Sequence, residues 1–197
     1  NLKNSAFKQY KYEVSLPSDR GSIVDRNYKI LAMNIPSVDV IANPKLVKDP
    51  SKVAVSLAQL FGKSASFFRK KLSEDGTFVY VARQQPVTIM QKIEDLGVEG
   101  LECQNGHLRK YPKERAGCQI VGFTGIDNAG LSGVELAYEN ILKGSPGRAV
   151  LQRTATSQAF VRAEYPVVPP ENGNDIVLTI DYRYQRIAEA ELRKTIL

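Results

Sequence analysis

Serine, lysine, histidine and cysteine are the residues with which this chain could do covalent or metal chemistry, and their spacing sets what they can do. Ser5-Ala-Phe-Lys8 has the Ser-x-x-Lys spacing, which on a helix puts a hydroxyl one turn before a lysine that helps activate it for acyl transfer. Enzymes of that kind also need Ser-x-Asn and Lys-Thr-Gly elements, and here Lys194-Thr195 runs into Ile196 instead of glycine. Four-residue patterns of common residues arise by chance, and this one lies at a chain end. A histidine-based triad would have to use His107, and no Gly-x-Ser-x-Gly elbow accompanies it. Cys103, His107 and Cys118 offer three ligands where a structural zinc takes four, without the paired short spacings of zinc motifs. Gly122-Phe-Thr-Gly125 with Gly130 and Gly133 lacks the Gly-Lys-Ser/Thr ending of a phosphate loop. Any two acids can meet in space, but nothing singles out a hydrolytic carboxylate pair. The reading is a non-catalytic chain, with no cofactor and no metal.

A second set of residues suits fastening better than catalysis. Asp25, Arg26, Arg109 and Glu135 fall at the ends of predicted elements, with Arg20 nearby in sequence. A guanidinium meets a carboxylate through two parallel hydrogen bonds, which suits arginine to pinning separate segments together. At least one of Arg20, Arg26 and Arg109 is therefore expected to pair with Glu135 or Asp25. Ordinary surface charge is the competing reading. Gly21, Gly130 and Gly133 are read as backbone turns rather than ligand contacts.

Three textures must position these residues. Residues 10–42 alternate in short steps: Tyr12–Leu16, Ser22–Val24, Lys29–Ala32 and Val38–Ala42 read as strands, with a tight turn at Asn27-Tyr28. After Asn43-Pro44 the period becomes helical. Asp49-Pro50-Ser51 opens a helix that Gly62 closes, a second helix runs from Ser64 or Ser66 to about Glu74, and a third follows Pro86 to Gly97, with a strand at Phe78–Ala82. From Cys103 strands return at Gly106–Tyr111, Gln119–Gly122, Ala149–Arg153, Ala159–Arg162 and Asp175–Ile180, interrupted by a helix over Leu131–Leu142. Asp181 is placed to cap a last helix carrying Tyr184, Ile187 and Leu192.

A chain of 197 residues fits one large or two small domains and can bury a proper core. The net charge of +6 is spread along the chain without a nucleic-acid motif, and its densest cluster, Arg69-Lys70-Lys71, sits beside Phe67-Phe68 and Leu72 as the basic face of an amphipathic helix. No nucleic-acid partner is expected; attraction to anionic lipid or wall polymer would suit the charge better. Apolar runs are far shorter than the ~20 residues that cross a bilayer. The first residue, Asn1, suggests that an upstream segment has been removed. Cys103 and Cys118 permit one disulfide, and whether it forms depends on the Cα atoms approaching within about 7 Å.

Six segments also form a matched set: Arg20-Gly-Ser-Ile-Val-Asp-Arg26, Leu31-Ala32, Arg109-Lys-Tyr-Pro112, Gly122-Phe-Thr-Gly125, Gly130-Leu-Ser-Gly-Val-Glu135, and Leu178-Thr-Ile-Asp181 with Gln185. In order and spacing they resemble the non-catalytic N-terminal pedestal, or dimerisation, module of class B penicillin-binding proteins, the peptidoglycan transpeptidases of division and elongation. Tyr28 replaces the family's usual turn glycine, which implies a changed turn type because tyrosine tolerates a positive φ poorly. Lys113-Glu114 replaces a glycine after the second motif. The short interval from Gly122 to Gly130 resembles the division type more than the elongation type.

The resemblance implies an α+β module whose strand-rich pedestal is discontinuous. Residues 1–43 and 102–180 would form it, residues 44–101 an inserted helix-rich head, and residues 181–197 the start of a missing transpeptidase domain. Arg20, Gly21, Asp25, Arg26, Arg109, Tyr111, Pro112, Gly130, Gly133, Glu135, Asp181 and Gln185 would be its structural motif residues. The implied location is the extracytoplasmic face of the cytoplasmic membrane, with the parent anchored by an N-terminal transmembrane helix. Implied partners are membrane-anchored cell-wall synthesis proteins, namely the cognate glycosyltransferase and bitopic division regulators. A free-standing extracytoplasmic adhesion or dimerisation module is the alternative.

Overall fold

The computed structural model describes residues 11–113, 116–153, 159–161 and 167–196. In chain order the elements are β1 (Lys11–Leu16), β2 (Ile23–Val24), β3 (Ile30–Ala42), a 3-10 turn (Pro44–Leu46), α1 (Pro50–Phe61), α2 (Ala65–Leu72), β4 (Val79–Gln85), α3 (Ile89–Asp95) and β5 (Leu101–Lys110). There follow α4 (Cys118–Val121), α5 (Gly133–Ala137), α6 (Glu139–Leu142), β6 (Gly147–Arg153), β7 (Ala159–Val161), β8 (Val167–Val168), β9 (Ile176–Val177) and α7 (Tyr182–Ile196). The class is α+β. The chain divides into two compact units, residues 1–34 with 109–197, and residues 35–108. The divisions fall inside β3 and β5, whereas the change of sequence period falls at the ends of those strands.

In the discontinuous unit, β2 pairs antiparallel with β3 (Ile23↔Ala32) and parallel with β9 (Ile23↔Ile176). Consecutive burial of Ile23 and Val24 marks a strand covered on both faces. Ile23, Leu31, Ala32, Val121 and Leu142 form the core, with Tyr111, Val134, Ile176 and Leu178 packed against it. A second sheet, β1-β6-β7 with β8 on β6, runs in register Leu16↔Gly147 at its near end.

The 35–108 unit is built on alternation followed by helical period. Val38, Val40 and Ala42 are buried along β3, which pairs with β4 through Val40↔Ala82 and Ala42↔Val79. Pro50 sits in the first turn of α1, the Asp49 carboxylate accepts the Lys52 N–H at 3.0 Å, and Gly62 at φ 66 ends the helix. Ser64 caps α2 by accepting the Phe67 N–H at 3.3 Å. Leu57, Phe68, Leu72, Ile89 and Ile93 bring the helices onto the strands in one core.

Several local expectations change. Of Gln119–Gly122, read as a strand, the first three residues lie in the single helical turn α4, bracketed by Gly117 at φ 73 and Gly122 at φ 79; four residues carry too little period to distinguish helix from strand. The helix expected over Leu131–Leu142 starts at Gly133 and breaks at Tyr138 into α5 and α6. The strands expected at Lys29–Ala32 and Val38–Ala42 are one strand, with register shifts after Val38 and Val40. Only Ile176 and Val177 of Asp175–Ile180 form strand. Tyr28 does take the left-handed conformation, at φ 59, and the residue is 75% exposed. The Asp25 carboxylate holds that turn by accepting the Asn27 and Lys29 N–H groups at 2.8 and 2.9 Å. Cys103 is half-buried and Cys118 exposed, both as free thiols, one in each unit. Ser5–Lys8 and Glu114 lie outside the described residues.

Candidate functional site

Arg20 leaves the loop before β2, Arg109 ends β5, and Glu135 lies in α5; the discontinuous unit brings all three side chains to one buried point. Arg20 Nε donates to Glu135 Oε2 at 2.7 Å, and Arg109 Nε donates to Oε1 at 2.8 Å. Arg20 continues outward, donating through Nη2 to the Glu135 carbonyl at 2.7 Å and through Nη1 to Glu139 Oε2 at 2.6 Å. Arg109 Nη1 donates to Asn34 Oδ1 at 3.2 Å, and Tyr111 donates its hydroxyl to Glu135 Oε1 at 3.3 Å. The Tyr111 oxygen in turn accepts the Thr124 N–H at 3.0 Å. Burial and the neighbouring Glu135 push the Tyr111 phenol up.

Backbone approach makes this packing possible. A Cβ on Gly130 would lie 2.1 Å from the Glu135 carbonyl oxygen, so only glycine lets that loop close on α5 while its N–H donates to Glu139 at 2.9 Å. At Gly21 a Cβ would lie 2.0 Å from the Asn174 carbonyl oxygen. Gly133 opens α5, and Pro112 is exposed just beyond β5.

Asp25, Arg26, Asp181 and Gln185 take other partners around the β2–β3 turn and the start of α7. Asp25 meets backbone where an arginine was one of the expected partners: besides its own turn it accepts the Tyr182 N–H at 3.1 Å, tying the β2–β3 turn to the start of α7. Burial pushes the Asp25 carboxyl up, but the N–H groups of Lys29, Tyr182 and Asn27 outweigh it and hold it below the usual range. Asp181 accepts from Arg183 at 3.0 Å and from Asn27 Nδ2 at 2.8 Å. The Arg183 guanidinium chiefly, with Asn27 helping against burial, holds its carboxyl far below the ordinary value. Arg26 donates to the Thr179 carbonyl at 2.7 Å, and Gln185 donates to Glu189 at 2.8 Å.

Glu139 and Asn34 were absent from the predicted set. The four-residue spacing of Glu135 and Glu139 was the available signal for the first; Asn34 offered none. Two guanidinium charges thus face two carboxylates. Glu135 is fully buried and both its oxygens are occupied, which suits a clamp. Among the described residues no three His, Cys, Asp or Glu side chains are grouped to hold a metal ion.

The profile of the penicillin-binding protein dimerisation domain matches residues 15–178, a span that contains the whole Arg20–Glu135–Arg109 cluster and also Asp25 and Arg26, and stops short of Asp181 and Gln185. The chain belongs to this family. Among relatives of the dimerisation domain, a protein named probable peptidoglycan D,D-transpeptidase PenA from Neisseria meningitidis is 32% identical over 92% of this chain, and stage V sporulation protein D of Bacillus subtilis is 30% identical over 97%. The peptidoglycan D,D-transpeptidase FtsI of Escherichia coli is 26% identical over 91%. This chain spans 32%, 30% and 31% of their respective lengths. The fold of this dimerisation domain is also that of a penicillin-binding protein solved as a complex between PBP2 and MreC from Helicobacter pylori. That likeness has a TM-score of 0.73 at 21% identity, over 93% of this chain and 39% of the other.

Proposed function

We propose that this chain is the non-catalytic pedestal of a peptidoglycan D,D-transpeptidase, a scaffold that positions a catalytic domain and binds other wall-synthesis proteins. The buried Arg20–Glu135–Arg109 clamp carries this reading, because it commits the motif residues to joining distant segments. Helix α7 adds support. Tyr184, Ile187 and Leu192 are 70%, 56% and 62% exposed, an apolar surface suited to burial against a catalytic domain. Residues 181–197 are then the first segment of that domain, and the pedestal comprises 1–43 and 102–180 with 44–101 as its head. The similar Helicobacter pylori protein was solved in complex with MreC, and that supports a partner-binding role.

The location that goes with this role is the extracytoplasmic face of the cytoplasmic membrane. No described helix is long and apolar enough to cross a bilayer; the proposed role places the parent's anchor in a transmembrane helix N-terminal to this module. The 122–130 interval is a short hairpin, closed by Gly125 donating to the Ala129 carbonyl at 2.8 Å, and it favours a division role.

Fluorescent penicillin tests the assignment directly. Residues 1–197 alone should remain unlabelled, while the parent chain that includes the next domain should be acylated; labelling of 1–197 overturns it. Depletion of the parent should give filaments for a division role and rounded cells for an elongation role.

A further inference from the structure

The 35–108 unit carries a surface that the motif residues do not use. Lys63, Phe67 and Lys71 are four residues apart and stack along one side of α2 from just before its cap. Both ammonium groups lie over the Phe67 ring, 4.8 and 5.1 Å from its centroid. Lys71 also donates to the Tyr80 and Val81 carbonyls of β4, which joins the stripe to that strand. On β4 the Tyr80 ring meets Phe78 edge-on at 4.9 Å, and the Arg83 guanidinium lies 4.3 Å above Tyr80. Phe67 and Phe78 nevertheless stay 38% and 53% exposed. Arg83 is matched by Asp39 at 3.0 Å, but among the described residues no carboxylate pairs with Lys63, Lys70 or Lys71.

We propose that this aromatic–cationic strip docks an acidic, partly apolar linear segment of a partner protein. Exposed rings set between fixed cations complement a segment that alternates carboxylates with apolar side chains. Lys71 occupies two β4 carbonyls, so the segment is held by side chains and not by strand addition. An anionic membrane fits less well. Glu74 and Asp75 lie in the turn that leads from α2 to Phe78, and a broad anionic surface meets them as well as the lysines. The scaffold reading bears on the partner's identity alone; binding to the purified chain is measured independently of it.

The test is fluorescence anisotropy with a labelled peptide of glutamate pairs separated by single leucines, alongside its lysine–leucine counterpart. Phosphatidylglycerol vesicles and sedimentation of the protein alone complete the set. The acidic peptide should bind, and Lys63→Glu with Lys70→Glu should weaken it roughly tenfold or more. Phe78→Ser should weaken it several-fold with unchanged circular dichroism; it is preferred to a change at Phe67, whose ring also packs edge-on at 5.2 Å against buried Phe68. Arg186→Glu with Arg193→Glu changes net charge equally in the other unit and should leave binding intact. An equal loss in that control, tighter binding to vesicles than to the peptide, or self-association abolished by the lysine variants would each overturn the proposal.

Discussion

Both oxygens of Glu135 are occupied in a place water does not reach, Oε2 by Arg20 and Oε1 by Arg109 and Tyr111. A buried ion pair gains little over an apolar replacement, but removing one partner strands the other's charge. Glu135→Ala should therefore cost about 3–5 kcal/mol in urea unfolding, and Glu139→Ala, whose side chain is 23% exposed, only about 1–2 kcal/mol. Asp25 gives a pH prediction. Its folded value lies below that of an unfolded aspartate, ~3.9, so its contribution is fully present above that value and is lost as pH falls through the folded one. Asp25→Asn should flatten the acid limb of stability below about pH 4, read by thermal melts across pH. Arg20, Arg109 and Glu135 are legible as fasteners because their chemistry admits few buried uses. Arg26 and Asp25 were not paired with each other's chemistry: both are taken by backbone groups, which are present at every residue and leave no mark in sequence.

Helix ends were the most legible elements, since Asp49, Ser64 and Gly62 act on N–H and C=O groups within a few residues of themselves. The segment from Gly117 to Leu142 was the least, because its short turns are set by neighbours and not by period. Tyr28 shows local preference overridden by its surroundings. The Asp25 carboxylate fixes the turn, and tyrosine accepts a left-handed backbone with its ring in solvent. Tyr28→Gly should thus raise stability by roughly 0.5–1 kcal/mol, the backbone relief less the entropy of glycine. The opposite change, Gly130→Ala, forces its Cβ against the Glu135 carbonyl and should lower the urea midpoint sharply.

At the scale of the whole molecule, two cores of different residues serve two units. Leu57→Ala, at a fully buried site of the 35–108 unit, should cost about 2–5 kcal/mol. Hydrogen exchange should report that loss in amides of 35–108 much more than in the other unit. The order and spacing of motifs gave the family and the α+β class, and helix caps gave several boundaries, because those signals depend on residues near one another in the chain. Which carboxylate each arginine meets, and that Glu139 and Asn34 join them, was decided only by the tertiary structure. The Arg20–Glu135 contact spans 115 residues of sequence and the Arg109–Asn34 contact 75, and burial fixes such pairs only after the intervening chain has folded.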